Sequence, residues 1–145
     1  MLVAEHQALV SDWMTSDPVT GTLDMSLAEV YELMQENEIR RLLILRDDEL
    51  AGIVTLSDIL RTIPAILAEA DRETRLLMTS HIVRDVVSRD PITVGADETI
   101  QDAAERMLEY QVSGLPVVQG RVPVGIITES DIFRLVVESW GVLGG

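Results

Sequence analysis

Gly52-Ile53-Val54-Thr55-Leu56-Ser57-Asp58-Ile59-Leu60-Arg61 recurs 73 residues later as Gly125-Ile126-Ile127-Thr128-Glu129-Ser130-Asp131-Ile132-Phe133-Arg134. The same ungapped offset carries Asp17-Pro18-Val19-Thr20 onto Asp90-Pro91-Ile92-Thr93. It also carries Asp24, Glu32, Met34, Glu36 and Leu42 onto Asp97, Glu105, Met107, Glu109 and Leu115. About a third of positions 17–61 are identical to their counterparts, and many others exchange one apolar residue for another. A register held without a gap over this length marks a duplication: one supersecondary unit, too small to be stable alone, present twice and packed on its copy.

Working outward from the repeat, each copy reads alike. A short extended piece follows the Asp-Pro, at Val19-Thr20 and at Ile92 to Val94. A helix then starts at a capping signal, Ser26-x-x-Glu29 or Thr99-x-x-Asp102. Apolar residues at helical spacing follow, including Leu27, Val30, Leu33 and Met34, and Ile100, Ala103, Ala104, Met107 and Leu108. These helices are expected to end near Asn37 and Tyr110. Leu42 to Leu45 and Leu50 to Thr55 read as a β-hairpin about the polar turn Arg46-Asp47-Asp48-Glu49. Leu115 to Val118 and Val122 to Thr128 repeat it about Gln119-Gly120-Arg121. Both hairpins run into a further helix, at Ser57 and Ser130. Outside the repeat, Glu5 to Met14 reads as an amphipathic lead-in helix. Pro64 is expected to kink the Ser57 helix or open a second segment running to about Leu77. The last helix is expected over Ile132 to Trp140. The fold class is α+β, with the first unit at 10–70, the second at 83–140 and a connector at 71–82.

The chain has 145 residues, enough for one domain or two very small ones, and is 47% hydrophobic, enough for a real core. There are 25 acidic residues against 11 basic ones, a formal net charge of −14, and every basic residue is Arg. Such a surface repels nucleic acid and anionic lipid. A small anion still binds where Arg side chains and backbone N–H groups converge. There is no Cys, which excludes disulfides, thiolate nucleophiles and Cys-ligated metals. His6 and His81 are the only histidines and have no metal-ligand spacing, so no metal site is expected. The N-terminal residues lack a basic n-region, and no apolar run approaches the ~20 residues that span a bilayer. The expected location is the cytoplasm.

The Gly-x-x-Thr-x-Ser-Asp segment has two physical readings. Thr55-x-x-Asp58 and Thr128-x-x-Asp131 each fit a capping box that starts a helix. The same junction aims free N–H groups, a hydroxyl and a carboxylate at one spot, where phosphate and a ribose diol find partners.

The repeat resembles a tandem pair of CBS domains over roughly residues 10–140. The resemblance rests on Asp17-Pro18-Val19-Thr20, on Val112-Ser113-Gly114-Leu115-Pro116-Val117-Val118 and on both Gly-x-x-Thr-x-Ser-Asp segments. It implies two β-α-β-β-α units related by a pseudo-two-fold axis, with two clefts that take adenosine compounds: AMP, ADP or ATP, or else S-adenosylmethionine or NAD. It implies that Asp58 and Asp131 hold ribose hydroxyls and that Thr55 and Thr128 meet phosphate. Val19-Thr20 and Ile92-Thr93 would flank the base through backbone groups. Ile39 and Arg40, and Val112, Ser113, Gly114, Leu115 and Pro116, would form the opposite walls. The first copy departs from the pattern at Arg40-Arg41-Leu42-Leu43, where two long side chains crowd the base, reach phosphate, or form a solvated pair that relieves the acidic surface.

The expected function is that of a regulatory adenine-nucleotide sensor with no catalysis, acting on an unidentified protein. The alternative is an interaction module with degenerate clefts. An enzyme would need an acid–base pair in a pocket, and Asp58 with Asp131 has no nucleophile or metal set to accompany it. Leu60, Ile63 and Ile66, with Phe133, Val136, Val137 and Trp140, supply more apolar surface than two small sheets cover, which predicts a homodimer. Arg61 and Arg134, one turn after each Asp, either answer a phosphate or lie on an exposed helix face.

Overall fold

The computed structural model describes residues 8–62 and 81–144. In chain order these form α1 (Val10–Trp13), β1 (Thr15–Ser16), β2 (Thr20–Thr22), α2 (Leu27–Asn37), β3 (Arg41–Arg46), β4 (Glu49–Thr55) and α3 (Leu56–Thr62). There follow a 3₁₀ turn (Val83–Asp85), β5 (Ser88–Arg89), β6 (Val94–Gly95), α4 (Ile100–Tyr110), β7 (Gly114–Gln119), β8 (Val122–Thr128) and α5 (Glu129–Gly144). The fold is α+β, with the helices and hairpins where the repeat places them.

Local chemistry sets the element ends. Ser26 Oγ accepts the Glu29 N–H at 3.1 Å, and Thr99 Oγ1 accepts the Asp102 N–H at 3.1 Å while Asp102 returns the bond to the Thr99 N–H. These reciprocal boxes satisfy donors that have no partner inside the helix. Both helices stop on a residue in the left-handed region, Glu38 at φ 54° and Gln111 at φ 55°. The first hairpin turns on two residues only, Asp47 and Asp48, both at positive φ. That backbone matches the twist of the flanking strands, and Asp tolerates it better than most residues.

Two four-stranded sheets carry the fold, in the orders β1-β8-β7-β6 and β2-β3-β4-β5. The short strand after each Asp-Pro pairs parallel to its own copy's hairpin, Thr20 beside Leu43 and Val94 beside Val117. The strand before each Asp-Pro pairs with the other copy's hairpin. Thr15 and Ser16 lie against Ile126 and Gly125, and Ser88 and Arg89 lie against Ile53 and Gly52. One compact unit is therefore Val19–Pro91, the first-copy unit. The other, the second-copy unit, joins the residues up to Pro18 to those from Ile92 onward. The chain crosses between units at each Asp-Pro, and both aspartates, Asp17 and Asp90, have positive φ. The units in space are thus cut differently from the contiguous segments 10–70 and 83–140.

Each unit has its own core. Leu27, Val30, Met34, Leu42, Ile44 and Val54 form the first, which Val83 completes from beyond the repeat. Ile100, Ala103, Met107, Leu115, Val117 and Ile127 form the second, which Val10 completes from the lead-in segment. Among the described residues no polar side chain is buried and no helix is long and apolar enough to cross a membrane.

Two expectations need correction. The lead-in helix does not include residues 8 and 9: Leu9 is extended and bridges Thr99, and helix begins only at Val10. The Val10 and Ser11 N–H groups donate to the Glu98 and Ala96 carbonyls, so neighbouring chain rather than a preceding helical turn satisfies them. The edge strands β1 and β5 were not expected, since two polar residues each carry no alternation to read. The expected segment about Pro64, running to Leu77, lies outside the described residues.

Candidate functional site

Each candidate set falls within one unit, at the end of the sheet where the hairpin runs into a helix. In the first-copy unit Thr55 closes β4 opposite Arg41, and the Leu56 N–H donates to the Arg40 carbonyl at 2.8 Å. This bond ties the wall segment Ile39-Arg40 to the junction. The Thr55 N–H donates to Asp58 Oδ2 at 3.0 Å, and Thr55 Oγ1 accepts the Asp58 N–H at 3.1 Å. Arg61 pairs with Oδ1 of the same carboxylate. Thr20 heads β2 on the far side of β3, and Val19 and Ile39 pack on the unit's core.

The second-copy unit repeats this frame. Thr128 closes β8 opposite Gly114, and the Glu129 N–H donates to the Ser113 carbonyl at 3.0 Å. Asp131 Oδ2 accepts the Thr128 N–H at 2.9 Å and the Thr128 hydroxyl at 3.1 Å, and Oδ1 pairs with Arg134 at 3.1 Å. Ile92 and Thr93 lead into β6, and the Thr93 carbonyl accepts a bond from Arg106 at 3.2 Å. The Leu115 side chain is wholly buried in the core, so this residue can meet a ligand only through its backbone. Val112 also packs on that core.

The capping reading of the Thr–Asp segment is realised, and the N–H groups of Thr55, Leu56, Asp58, Thr128 and Glu129 all find partners within the chain. The box starts the helix, and it leaves one carboxylate oxygen turned toward an Arg rather than consumed by the cap. The junction thus carries a carboxylate, a hydroxyl and a cation that pair with one another. Among the described residues no group of His, Asp and Glu is arranged to hold a metal ion.

A different feature was missed in the sequence. An open groove of about 1050 Å³ runs between α4 and α5 of the second-copy unit, lined by Met107, Leu108, Val112, Ile132, Phe133 and Val136 among others. It touches Val112 and Ser113 but neither Thr128 nor Asp131. Leu108 is 80% exposed there and Phe133 64%. Leu108 follows the helical spacing of the apolar residues of α4 but faces outward. Of the residues expected to be surplus to the core, Leu60, Phe133, Val137 and Trp140 are exposed and Val136 is half-buried. Ile63 and Ile66 lie outside the described residues.

The sequence signature of the CBS domain matches residues 10–65 and 83–138. The chain belongs to the CBS domain family. A homoserine O-acetyltransferase of Methanohalobium evestigatum is 33% identical over 131 residues, covering 89% of this chain and 24% of the enzyme. A CBS domain-containing protein of Dictyostelium discoideum is 29% identical, covering 91% of this chain and 93% of that protein. The chain thus spans about a quarter of the length of the enzyme it resembles. Among solved structures, the CBS domain pair of protein MJ0100, in complex with 5′-methylthioadenosine and S-adenosyl-L-methionine, is 30% identical with a TM-score of 0.76. That match covers 92% of this chain and 98% of the other. CBS membership explains the duplication: the two matched segments are the two copies.

Proposed function

We propose that this CBS pair is a regulatory module that binds an adenine nucleotide at its strand-to-helix junctions and performs no chemistry on it. The doubled Thr–Asp–Arg junction carries this reading. Each copy sets a carboxylate that suits a ribose diol beside a threonine hydroxyl that suits phosphate. The similarity to a CBS pair complexed with two adenosine compounds supports it. AMP, ADP and ATP are the first ligands to try, then S-adenosylmethionine and NAD. Asp58 and Asp131 hold ribose, Thr55 and Thr128 face phosphate, and backbone groups of Val19-Thr20 and Ile92-Thr93 flank the base. Ile39-Arg40 and Val112 to Pro116 close the other side. Thermal melting against each ligand tests the reading: a ligand at 100 times its Kd stabilises by about 2.7 kcal/mol. No shift with any of them, with no heat of binding by calorimetry, sinks it. Release of product from a bound nucleotide would instead make the chain an enzyme.

The module acts as a homodimer in this reading. Leu108, Phe133, Val137 and Trp140 leave an apolar helical face uncovered in the second-copy unit, and a two-fold copy is the commonest way to cover such a face. Sedimentation should give a dimer at micromolar concentration, and Leu108→Glu with Phe133→Glu should give a folded monomer. A wild-type monomer overturns it.

A further inference from the structure

Asp131, the carboxylate assigned to ribose in the second-copy unit, is already held on both oxygens. Oδ2 takes the Thr128 N–H and hydroxyl, and Oδ1 takes Arg134. Arg134 is itself held from behind. Its Nη2 donates to the Trp13 carbonyl at 3.3 Å, and its guanidinium carbon lies 5.2 Å from the centre of the Trp13 ring. Trp13 ends α1, next to the edge strand that pairs with β8. The first-copy unit has the Asp58–Arg61 pair as well, but the residue matching Trp13 there is Val86, which has no ring.

We propose that Arg134 is a positioning residue that couples the second-copy junction to the lead-in segment, by holding Asp131 Oδ1 and Trp13 at once and yielding Oδ1 when a ribose takes it. The proposal rests on the nucleotide reading above. The physical reason is competition. A carboxylate oxygen that already accepts a charge-assisted bond is a poorer acceptor for a diol. Arg134 is 54% exposed, so its bond to Asp131 is weak enough to give way. Once it gives way, the guanidinium keeps only its Trp13 partners, and the surroundings of that ring change. Occupancy of the junction is then legible at the start of the chain, where β1 and α1 complete the second-copy unit. Among the described residues the first-copy unit has no matching ring at this position.

The test uses the full chain carrying Trp140→Phe, which leaves Trp13 as its one tryptophan. Adenosine, which has no phosphate, and AMP are titrated by calorimetry and by Trp13 emission. The expected result is an emission change for both ligands that saturates with the calorimetric binding. Arg134→Met should tighten adenosine by about two- to fivefold, the size of a lost exposed ion pair, and should abolish the emission change. Arg134→Lys, which keeps the cation, should restore part of it. Unchanged adenosine affinity in Arg134→Met overturns the competition. AMP weakened about tenfold with adenosine unchanged makes Arg134 a phosphate ligand instead. Calorimetric binding with a silent Trp13 overturns the coupling alone. No heat from either ligand in any variant overturns the nucleotide reading, and the coupling with it.

Discussion

Met25 and Glu98 occupy the same position in the two repeats, and each receives a backbone N–H from the turn before its helix. The Thr22 N–H donates to Met25 Sδ at 3.3 Å, and the Gly95 N–H donates to Glu98 Oε2 at 2.7 Å. One step further in, Leu33 in the first copy stands where Arg106 stands in the second. The first copy fills this corner with apolar contact. The second fills it with a bidentate ion pair, Arg106 to Glu98 at 2.6 and 2.5 Å.

Since the first copy is a working apolar version of the second, the pair should be replaceable as a pair but not singly. Glu98→Met or Arg106→Leu alone is expected to cost about 1–2 kcal/mol, because each strands a charge and its hydrogen bonds. The double variant should recover to within about 1 kcal/mol of wild type. Urea unfolding of all four proteins checks this, and additive losses would show that the two residues act independently.

The same pair sets an acid limit. Its hydrogen bonds to Arg106, aided by the Gly95 N–H, hold Glu98 below the ordinary glutamate range despite partial burial. A carboxylate depressed in the folded state contributes stability that is complete above its unfolded value and is lost as pH falls through its folded value. Melting temperature should therefore drop on acidification below the usual glutamate range, and the double variant should drop less steeply.

Gly52 and Gly125 are expected to resist any side chain. A Cβ at Gly52 would lie 2.6 Å from the Ser88 carbonyl oxygen, and one at Gly125 would lie 2.8 Å from that of Thr15. Both carbonyls belong to the edge strand taken from the other copy. Gly52→Ala and Gly125→Ala should each destabilise by about 1–3 kcal/mol by pushing that strand away. Hydrogen exchange at β5 or β1 would rise selectively, whereas uniform loss of protection would place the damage elsewhere.

Glu38 and Gln111 invite the opposite change. Both end a helix in the left-handed region, where glycine is unstrained. Glu38→Gly and Gln111→Gly should each stabilise by about 0.5–1 kcal/mol in thermal melts. Glu38 should gain more, since an acid at a helix C-terminus opposes the dipole.

For the junctions, Asp131→Ala should weaken nucleotide binding by about one to two decades, for loss of charge-assisted bonds worth roughly 1.5–3 kcal/mol. Asp58→Ala should have the smaller effect on affinity, because Thr128 faces Gly114 across its strand pair while Thr55 faces Arg41. Each variant should also lose about 1 kcal/mol of ligand-free stability with its cap. Calorimetry beside ligand-free melts separates the two losses. Binding abolished by Asp58→Ala and kept by Asp131→Ala would reverse the order.

What could be read from the sequence was what neighbouring residues decide. Ser26 with Glu29 and Thr99 with Asp102 announce their helices because cap and partner are three residues apart, and Thr128 with Asp131 announces its junction for the same reason. What could not be read joins distant positions. Trp13 and Arg134 lie 121 residues apart, and neither betrays the other. The edge strands Thr15–Ser16 and Ser88–Arg89 are too short and too polar to show a pattern, so the repeat alone could not reveal that they change places. The glycine of the repeated motif could be seen but not explained until the carbonyl pressed against it was placed.

That exchange has a consequence for a chain made from its N-terminus. Val19–Pro91 holds all its strands in one stretch and has what it needs as soon as Pro91 has emerged. The other unit is begun first and finished last. Thr15 is made before the whole of Val19–Pro91, and its partner Ile126 only after it. Its edge therefore stays open while a complete sheet of similar design assembles in between. During that interval β1 has no lawful partner, and its brevity and its two hydroxyl side chains make it a poor template for an unlawful one.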